Sequence, residues 1–310
     1  MLKKLLLAGA ALALSTQIAA AKDLKSIGIS LGSLGNPFFI ALSKGAQFEA
    51  KKINPNVKII TVGFDYDLGK QNTQIDNFIA AGVDLILLNP GDPNAIEPAI
   101  KRAQAAGIIV VSVDTHARGA NATVETNNVQ AGTIACEDLI QHMGDKGDMI
   151  IVNGPQVSSV IERVNGCKAV IAKHPQIKLL SSDQDAKGSR DGGLAVMQSL
   201  LTRFPTVNGV FAINDPTAIG AMLAAKQLNR TDFPITAVDG APDAEQALKD
   251  PNAKQFIASA SQDPFLMARL AVQQGEKLLK GEKLEHDVLL MDSKLVTREN
   301  ANEYHGWSSH

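Results

Sequence analysis

Of 310 residues only two are cysteine and one is tryptophan, and phenylalanine, tryptophan and tyrosine together make up 4%. Cys136 and Cys167 stand far apart and neither belongs to a CxxC pair, which supports neither a zinc knuckle nor thioredoxin-like redox chemistry. The histidines (116, 142, 174, 286, 305 and 310) lack ligand spacing, so metal catalysis has no footing and no cofactor is expected. The apolar stretch Leu5–Leu14 falls well short of the ~20 residues that a membrane span requires. Nor is there an excess of positive charge. The net charge is −2, which gives no support for nucleic-acid binding.

The beginning of the chain is a processing segment rather than structure. Lys3 and Lys4 form a basic start, Leu5–Leu14 an apolar middle, and Ala19-Ala20-Ala21 a small-residue cleavage site before Lys22. Residues 1–21 are therefore expected to be an export signal cut after Ala21. No cysteine near the cut invites lipid attachment. The mature protein is expected to be soluble and, in a bacterium with two membranes, periplasmic, a compartment in which Cys136 and Cys167 are free to pair. Its length suits two domains, each with its own core.

Short β-branched runs alternate with longer amphipathic segments. Ser26–Leu31, Val57–Val62, Leu85–Leu88, Ile108–Val113, Met149–Val152, Ile177–Leu180, Val210–Ile213, Ile235–Val238 and Phe256–Ser259 read as strands, and their near-continuous apolarity predicts burial on both faces. Segments such as Phe38–Lys52, Lys70–Ala81, Ile96–Ala106, Ser158–Lys173, Ala218–Leu228 and Pro264–Lys280 carry helical spacing. Repeated βα units imply parallel sheet with helices on both sides. The rhythm breaks around Thr115–Asn128, where the chain is expected to cross between domains.

Polar residues cluster just after the strands. Asn36, Asn89, Asp114, Asn214-Asp215 and Asp239 each follow a strand's carboxyl end, the edge at which open parallel sheets bind ligands. Taken singly, each reads equally as a helix cap; together they suggest a polar cleft. Asn36-Pro37-Phe38-Phe39 places two of the scarce rings side by side at the first of these exits. A sugar's apolar C–H face is a natural partner for a Phe ring. The alternative is one ring in the core and the other over the helix start.

These motifs, with Arg163-Val-Asn-Gly166, Phe211-Ala-Ile-Asn214-Asp215, Val238-Asp239-Gly240 and Ser261-Gln262-Asp263, make the chain resemble the ribose-binding protein family, the sugar-binding components of ATP-driven importers. The resemblance implies the type 1 periplasmic binding protein fold: two similar doubly wound α/β lobes joined by a three-crossover hinge. Residues 22–126 plus 263–291 would form the first lobe, and 127–262 plus 292–310 the second. It implies that Asn36 hydrogen-bonds a monosaccharide or polyol, that Phe38 and Phe39 stack on it, and that Asp114 accepts from its hydroxyls. Arg163, Asn214 and Asp239 would act from the second lobe, with Gln262 at the crossover. Cys136 and Cys167 fall in successive helices of that lobe, where a disulfide is plausible. The implied partners are the ligand and an ABC-type permease, with a chemoreceptor or sensor kinase as the alternative recipient, and the chain is expected to be a monomer.

Two positions depart from the family. Thr115, followed by His116, stands where ribose binders have arginine, and Gly188 where a third aromatic is expected; His116 and Lys187 are candidate replacement donors. Both departures point to a ligand other than ribose. Enzymatic readings are weaker. Gly28-Ile-Ser30-Leu-Gly32 matches a nucleophile elbow, but Ser30 lies inside a strand, well before the next helix. The nearby glycines miss dinucleotide spacing. An export signal in place of a DNA-binding helix pair argues against a repressor.

Overall fold

The structure is a computed structural model that describes residues 21–308, so almost all of the expected export signal lies outside the described residues. Two six-stranded sheets organise the chain. The first holds β1 (Ser26–Leu31), β2 (Lys58–Gly63), β3 (Leu85–Leu88), β4 (Ile109–Val113), β5 (Ala122–Thr126) and β11 (Val288–Met291), in the order β11-β5-β4-β3-β1-β2. The second holds β6 (Gly147–Val152), β7 (Ile177–Ser181), β8 (Gly209–Ala212), β9 (Ile235–Asp239), β10 (Phe256–Ser261) and β12 (Leu295–Thr297), in the order β12-β10-β9-β8-β6-β7. All pairings are parallel except that of β12 with β10. The two orders correspond strand for strand: β4 and β9 hold equivalent places, as do β3 and β8, and β2 and β7.

Alternate residues of each strand enter opposite cores, which is why the strands read as unbroken apolar runs. In β3, Leu85 and Leu87 pack beneath α1 (Pro37–Ile53) and α9 (Pro264–Leu279), while Ile86 and Leu88 pack beneath α2 (Leu68–Ala81) and α3 (Glu97–Ala105). In β8, Val210 and Ala212 join the core of α6 (Arg190–Arg203), α7 (Asp215–Gln227) and α8 (Pro242–Lys249). Phe211 turns instead toward α4 (Asn128–His142) and α5 (Ser158–Ile171). The chain passes between the sheets three times: from β5 to α4, from β10 to α9, and from β11 to β12.

Two features differ from the sequence reading. The run expected as Val57–Val62 is not buried on both faces: β2 is an edge strand with Lys58 and Ile60 exposed. The irregular stretch before Asn128 contains β5, whose alternating Thr and Glu disguise a strand that is buried throughout.

Helices α4 and α5 pack closely enough to dispense with side chains at the contact. A Cβ on Gly132 would meet the Arg163 carbonyl oxygen at 2.1 Å, and one on Gly166 would meet that of Val129 at 2.4 Å. This approach sets the height of α5 and hence of Arg163. A disulfide joins Cys136 of α4 to Cys167 of α5, with Cα atoms 5.1 Å apart.

Candidate ligand site between the lobes

The carboxyl ends of the two sheets face each other across a cleft. Two aspartates end equivalent strands there, and both have left-handed backbone: Asp114 after β4 (φ 69°) and Asp239 at the end of β9 (φ 137°). Such conformations are costly for a residue with a Cβ and persist where the surroundings enforce them. Both residues line a cavity of about 40 Å³ together with Asn36, Phe38, Phe39, Tyr66, Asn89, Arg163, Gly188, Asn214 and Gln262. A single water needs ~10–15 Å³ by this measure, so the space is narrow and leaves no room for a chain of sugar rings.

All eight binding residues expected from the sequence are thus on the cavity wall, but several have a second task. Asn36 caps α1, its side-chain oxygen accepting from the Phe38 N–H at 2.9 Å. Asn214 caps α7 by accepting from the Thr217 N–H, and its amide donates to the Gly188 carbonyl at 3.0 Å. Phe38 and Phe39 are both part of the first lobe's core and both face the cavity, edge to face at 5.4 Å between centroids. The alternatives of core and ligand contact are therefore compatible.

Arg163 is the centre of the second lobe's wall. Its guanidinium donates to the Asn128 side chain at 2.9 Å, the Ile213 carbonyl at 2.9 Å and Asp239 at 3.4 Å. Gln262 donates to Asp239 at 2.7 Å and accepts from Thr126 at 2.7 Å, bridging two of the crossovers. On the opposite wall Asn89 donates to Asp114 and to the Thr115 hydroxyl, each at 2.9 Å. Thr115 in turn donates to the Pro90 carbonyl at 3.3 Å. It turns away from the cavity and adds no donor where an arginine was the family expectation.

Electrostatics mark this as an unfinished polar site. Burial pushes the Asp114 carboxyl up to about 7, with Asp239 adding to the rise and Arg163 and Asn89 opposing it. Burial likewise raises Asp239, against the pull of Arg163 and Gln262. A carboxylate accepts up to four hydrogen bonds, more than the protein supplies to either. Hydroxyl donors of a ligand would complete both shells. Asp215, beneath the cleft, has its partners in the Ser259 hydroxyl and the Ala241 N–H and reads as structural.

Tyr66 was not foreseen. It sits in the loop after β2, the counterpart of the Gly188 loop after β7, and its hydroxyl would lie 4.0 Å from a Cβ on Gly188. The ring missing from the second lobe is thus replaced by one reaching over from the first. Burial, with Asp114 and Asp239 nearby, raises its phenol well above the usual range, so it is a neutral hydroxyl. The scarcity argument that singled out Phe38-Phe39 applies equally to Asp65-Tyr66-Asp67, since only two tyrosines exist. Trp307, the single tryptophan, also supports the site: its indole N–H donates to the Gln262 carbonyl at 2.9 Å and its ring meets Phe38 edge-on at 5.8 Å. Of the proposed replacement donors, Lys187 lines only the outer groove, and His116 lies on the far side of the lobe seam beside Glu125 and Glu162.

Two parallel-sheet lobes enclosing a ring-lined, charge-studded cavity at their sheet edges define a two-lobed solute-binding protein. Comparison with known proteins is more specific: residues 27–283 match the periplasmic binding protein domain family, and the chain belongs to it. It is 33% identical to the ribose import binding protein of Salmonella typhimurium over 96% of this chain and 99% of the relative. It is 29% identical to a xylitol-binding protein of Mycolicibacterium smegmatis, covering 92% of this chain and 80% of the relative. A solved ABC transporter solute-binding protein from Mycobacterium smegmatis with bound glycerol superposes with a TM-score of 0.84 at 31% identity, covering 92% and 98% of the two chains.

Proposed function

We propose that the protein is a periplasmic solute-binding component of an ABC importer that captures one monosaccharide or polyol between its lobes and delivers it to the membrane permease. The observation that carries this reading is the cavity itself, with Phe38, Phe39 and Tyr66 set against Asp114, Arg163 and Asp239. Rings cover the C–H faces of a sugar, and planar charged groups each bond two neighbouring hydroxyls, so the two kinds of wall together recognise a polyhydroxylated ring. Lobe closure would bury the ligand and create the surface that the permease recognises. The protein acts as a monomer, after removal of its export signal. A chemoreceptor would meet the same closed surface.

Ribose is not the preferred ligand in this reading. Thr115 withholds the five donors of a guanidinium, and Tyr66 narrows the space beside Gly188 with a hydroxyl that both donates and accepts. A sugar or polyol whose hydroxyls suit a neutral phenol beside Gly188 and need no cation beside Thr115 is favoured. Isothermal titration of residues 22–310 against pentoses, hexoses, polyols and amino acids tests this, with Trp307 fluorescence as a second readout. One site per chain with micromolar or tighter affinity, about −8 kcal/mol or better, is expected for a sugar or polyol. Binding of an amino acid with no response to any sugar would overturn the function, and ribose outcompeting the whole panel would overturn the specificity.

A further inference from the structure

Behind the ligand cavity, along the seam beside the β5–α4 crossover, three ligating side chains converge from both lobes. His116 follows β4, Glu125 lies on β5, and Glu162 projects from α5 of the second lobe. His116 Nδ1 stands 3.5 Å from Glu125 Oε1 and 3.5 Å from Glu162 Oε1, and one donor atom from each residue lies within 4.8 Å of the other two. A tetrahedral ion with bonds of ~2.0–2.2 Å places its ligand atoms about 3.3–3.6 Å apart, the separation found here for both pairs that include the histidine.

A second observation is independent of that spacing. The Glu125 side chain is 4% exposed, and its Oε2 atom is buried without a hydrogen-bond partner. An orphaned buried carboxylate oxygen is expensive, and this one belongs to a cluster of two carboxylates and a single imidazole. Burial beside Glu162 and Asp114 disfavours the charged form of Glu125, so a proton or a bound cation has to neutralise it. A groove of about 680 Å³, open along the seam and also lined by Thr123, Asn127 and Asp287, gives an ion a route to the three groups. One imidazole with two carboxylates is a donor set suited to zinc and similar divalent transition ions, with water in the fourth position.

The geometry points to a binding site for a zinc-class divalent cation formed by His116, Glu125 and Glu162, which ties the first lobe to the second when the lobes are closed. The backbone supports the same closure: the His116 N–H donates to the Ser158 hydroxyl at the start of α5, at 2.9 Å. Since the ligands come from both lobes, an ion held by all three stabilises the closed arrangement whatever solute the cleft takes.

The test uses the untagged mature protein without sugar. Zinc chloride titrated calorimetrically is expected to bind one ion per chain at this site, and small-angle scattering is expected to report a smaller radius of gyration once it is bound. His116→Ala and Glu162→Gln should each weaken binding by at least about tenfold, the loss that even an outer-shell partner produces, and should abolish the compaction. Glu162 is half-buried on a helix surface, so its amide variant keeps the test open should His116→Ala fold poorly. Absence of zinc heat would overturn the proposal, the cluster then being a proton-linked ion pair. Zinc binding that persists unchanged in both variants would overturn it too, as would binding without compaction.

Discussion

The two lobes share one topology but meet the cavity with different chemistry. The first presents rings, Phe38, Phe39 and Tyr66, with one carboxylate, Asp114, held by an amide. The second presents an ionic lattice in which Arg163, Asp239, Gln262 and Asn128 hold one another. Only the second carries a disulfide. Shape on one side is thus fixed by the apolar core that the rings belong to, and on the other by hydrogen bonds among the wall residues themselves. Two pairs of equivalent strand ends carry like groups, Asp114 with Asp239 and Asn89 with Asn214, so the difference between the walls comes from the loops and helices around them, Tyr66 and the Phe38-Phe39 pair on one side and Arg163 on the other.

The strongest way to break this comparison is Arg163→Ala. Ligand affinity should fall by about 2–5 kcal/mol, since a ligand hydroxyl and Asp239 both lose their cation. Arg163 is also 4% exposed and anchors the Ile213 carbonyl and Asn128, so its loss should lower unfolding free energy by about 3–5 kcal/mol as well. Calorimetry and urea denaturation separate the two effects. An unchanged denaturation midpoint would show the lattice to be slack.

In the first lobe the corresponding change is Phe39→Ala. A ring in the core costs about 3–5 kcal/mol of stability when truncated, and binding should weaken with it. Phe39→Leu should restore much of the stability while leaving binding impaired, because volume returns and the aromatic face does not. Full recovery of affinity in the leucine variant would reduce the ring to a core filler. Reducing the Cys136–Cys167 bond should lower stability by about 3–4 kcal/mol, given the chain it closes, with sugar affinity unaffected; a titration in reductant checks it.

Asp114 gives a pH signature. With the lobes packed around it, burial raises its carboxyl to about 7 from 3.8. A raised carboxylate favours the closed form on the acid side, and the advantage disappears as pH climbs from about 4 through 7. Scattering should therefore show the ligand-free protein opening across that window, with Asp114→Asn flattening the change. The smallest effect is expected for Tyr66→Phe. Losing one hydroxyl should cost about 1 kcal/mol with the best ligand, and the ranking of sugars should shift, which a competition series would reveal. An unaltered ranking would mean that Tyr66 closes the cavity without reading the ligand.

How legible the site was depended on distance along the chain. Asn36-Pro37-Phe38-Phe39 and Val238-Asp239-Gly240 each combine a strand end and a distinctive composition, so the residues announce themselves. Asn89 was legible only as a polar strand end, and Tyr66 only as a scarce ring; neither signal tells a residue aimed across the cleft from one that merely follows a strand. The strands β5, β11 and β12 were obscure for a related reason. They are short and held in place by neighbours far away in sequence.

By itself the sequence determined the alternation of buried strand and amphipathic helix, and with it two parallel-sheet lobes whose polar strand ends gather at one edge. That follows from local periodicity and cap chemistry, which depend on residues a few positions apart. Only the tertiary structure decided that Thr115 turns away toward Pro90, that Tyr66 reaches over Gly188, and that His116 leaves the ligand cavity to meet Glu125 and Glu162. Each of those outcomes depends on how two lobes of a folded chain face one another, and on burial that makes an unpaired polar atom costly. That penalty acts only once distant segments have closed around it.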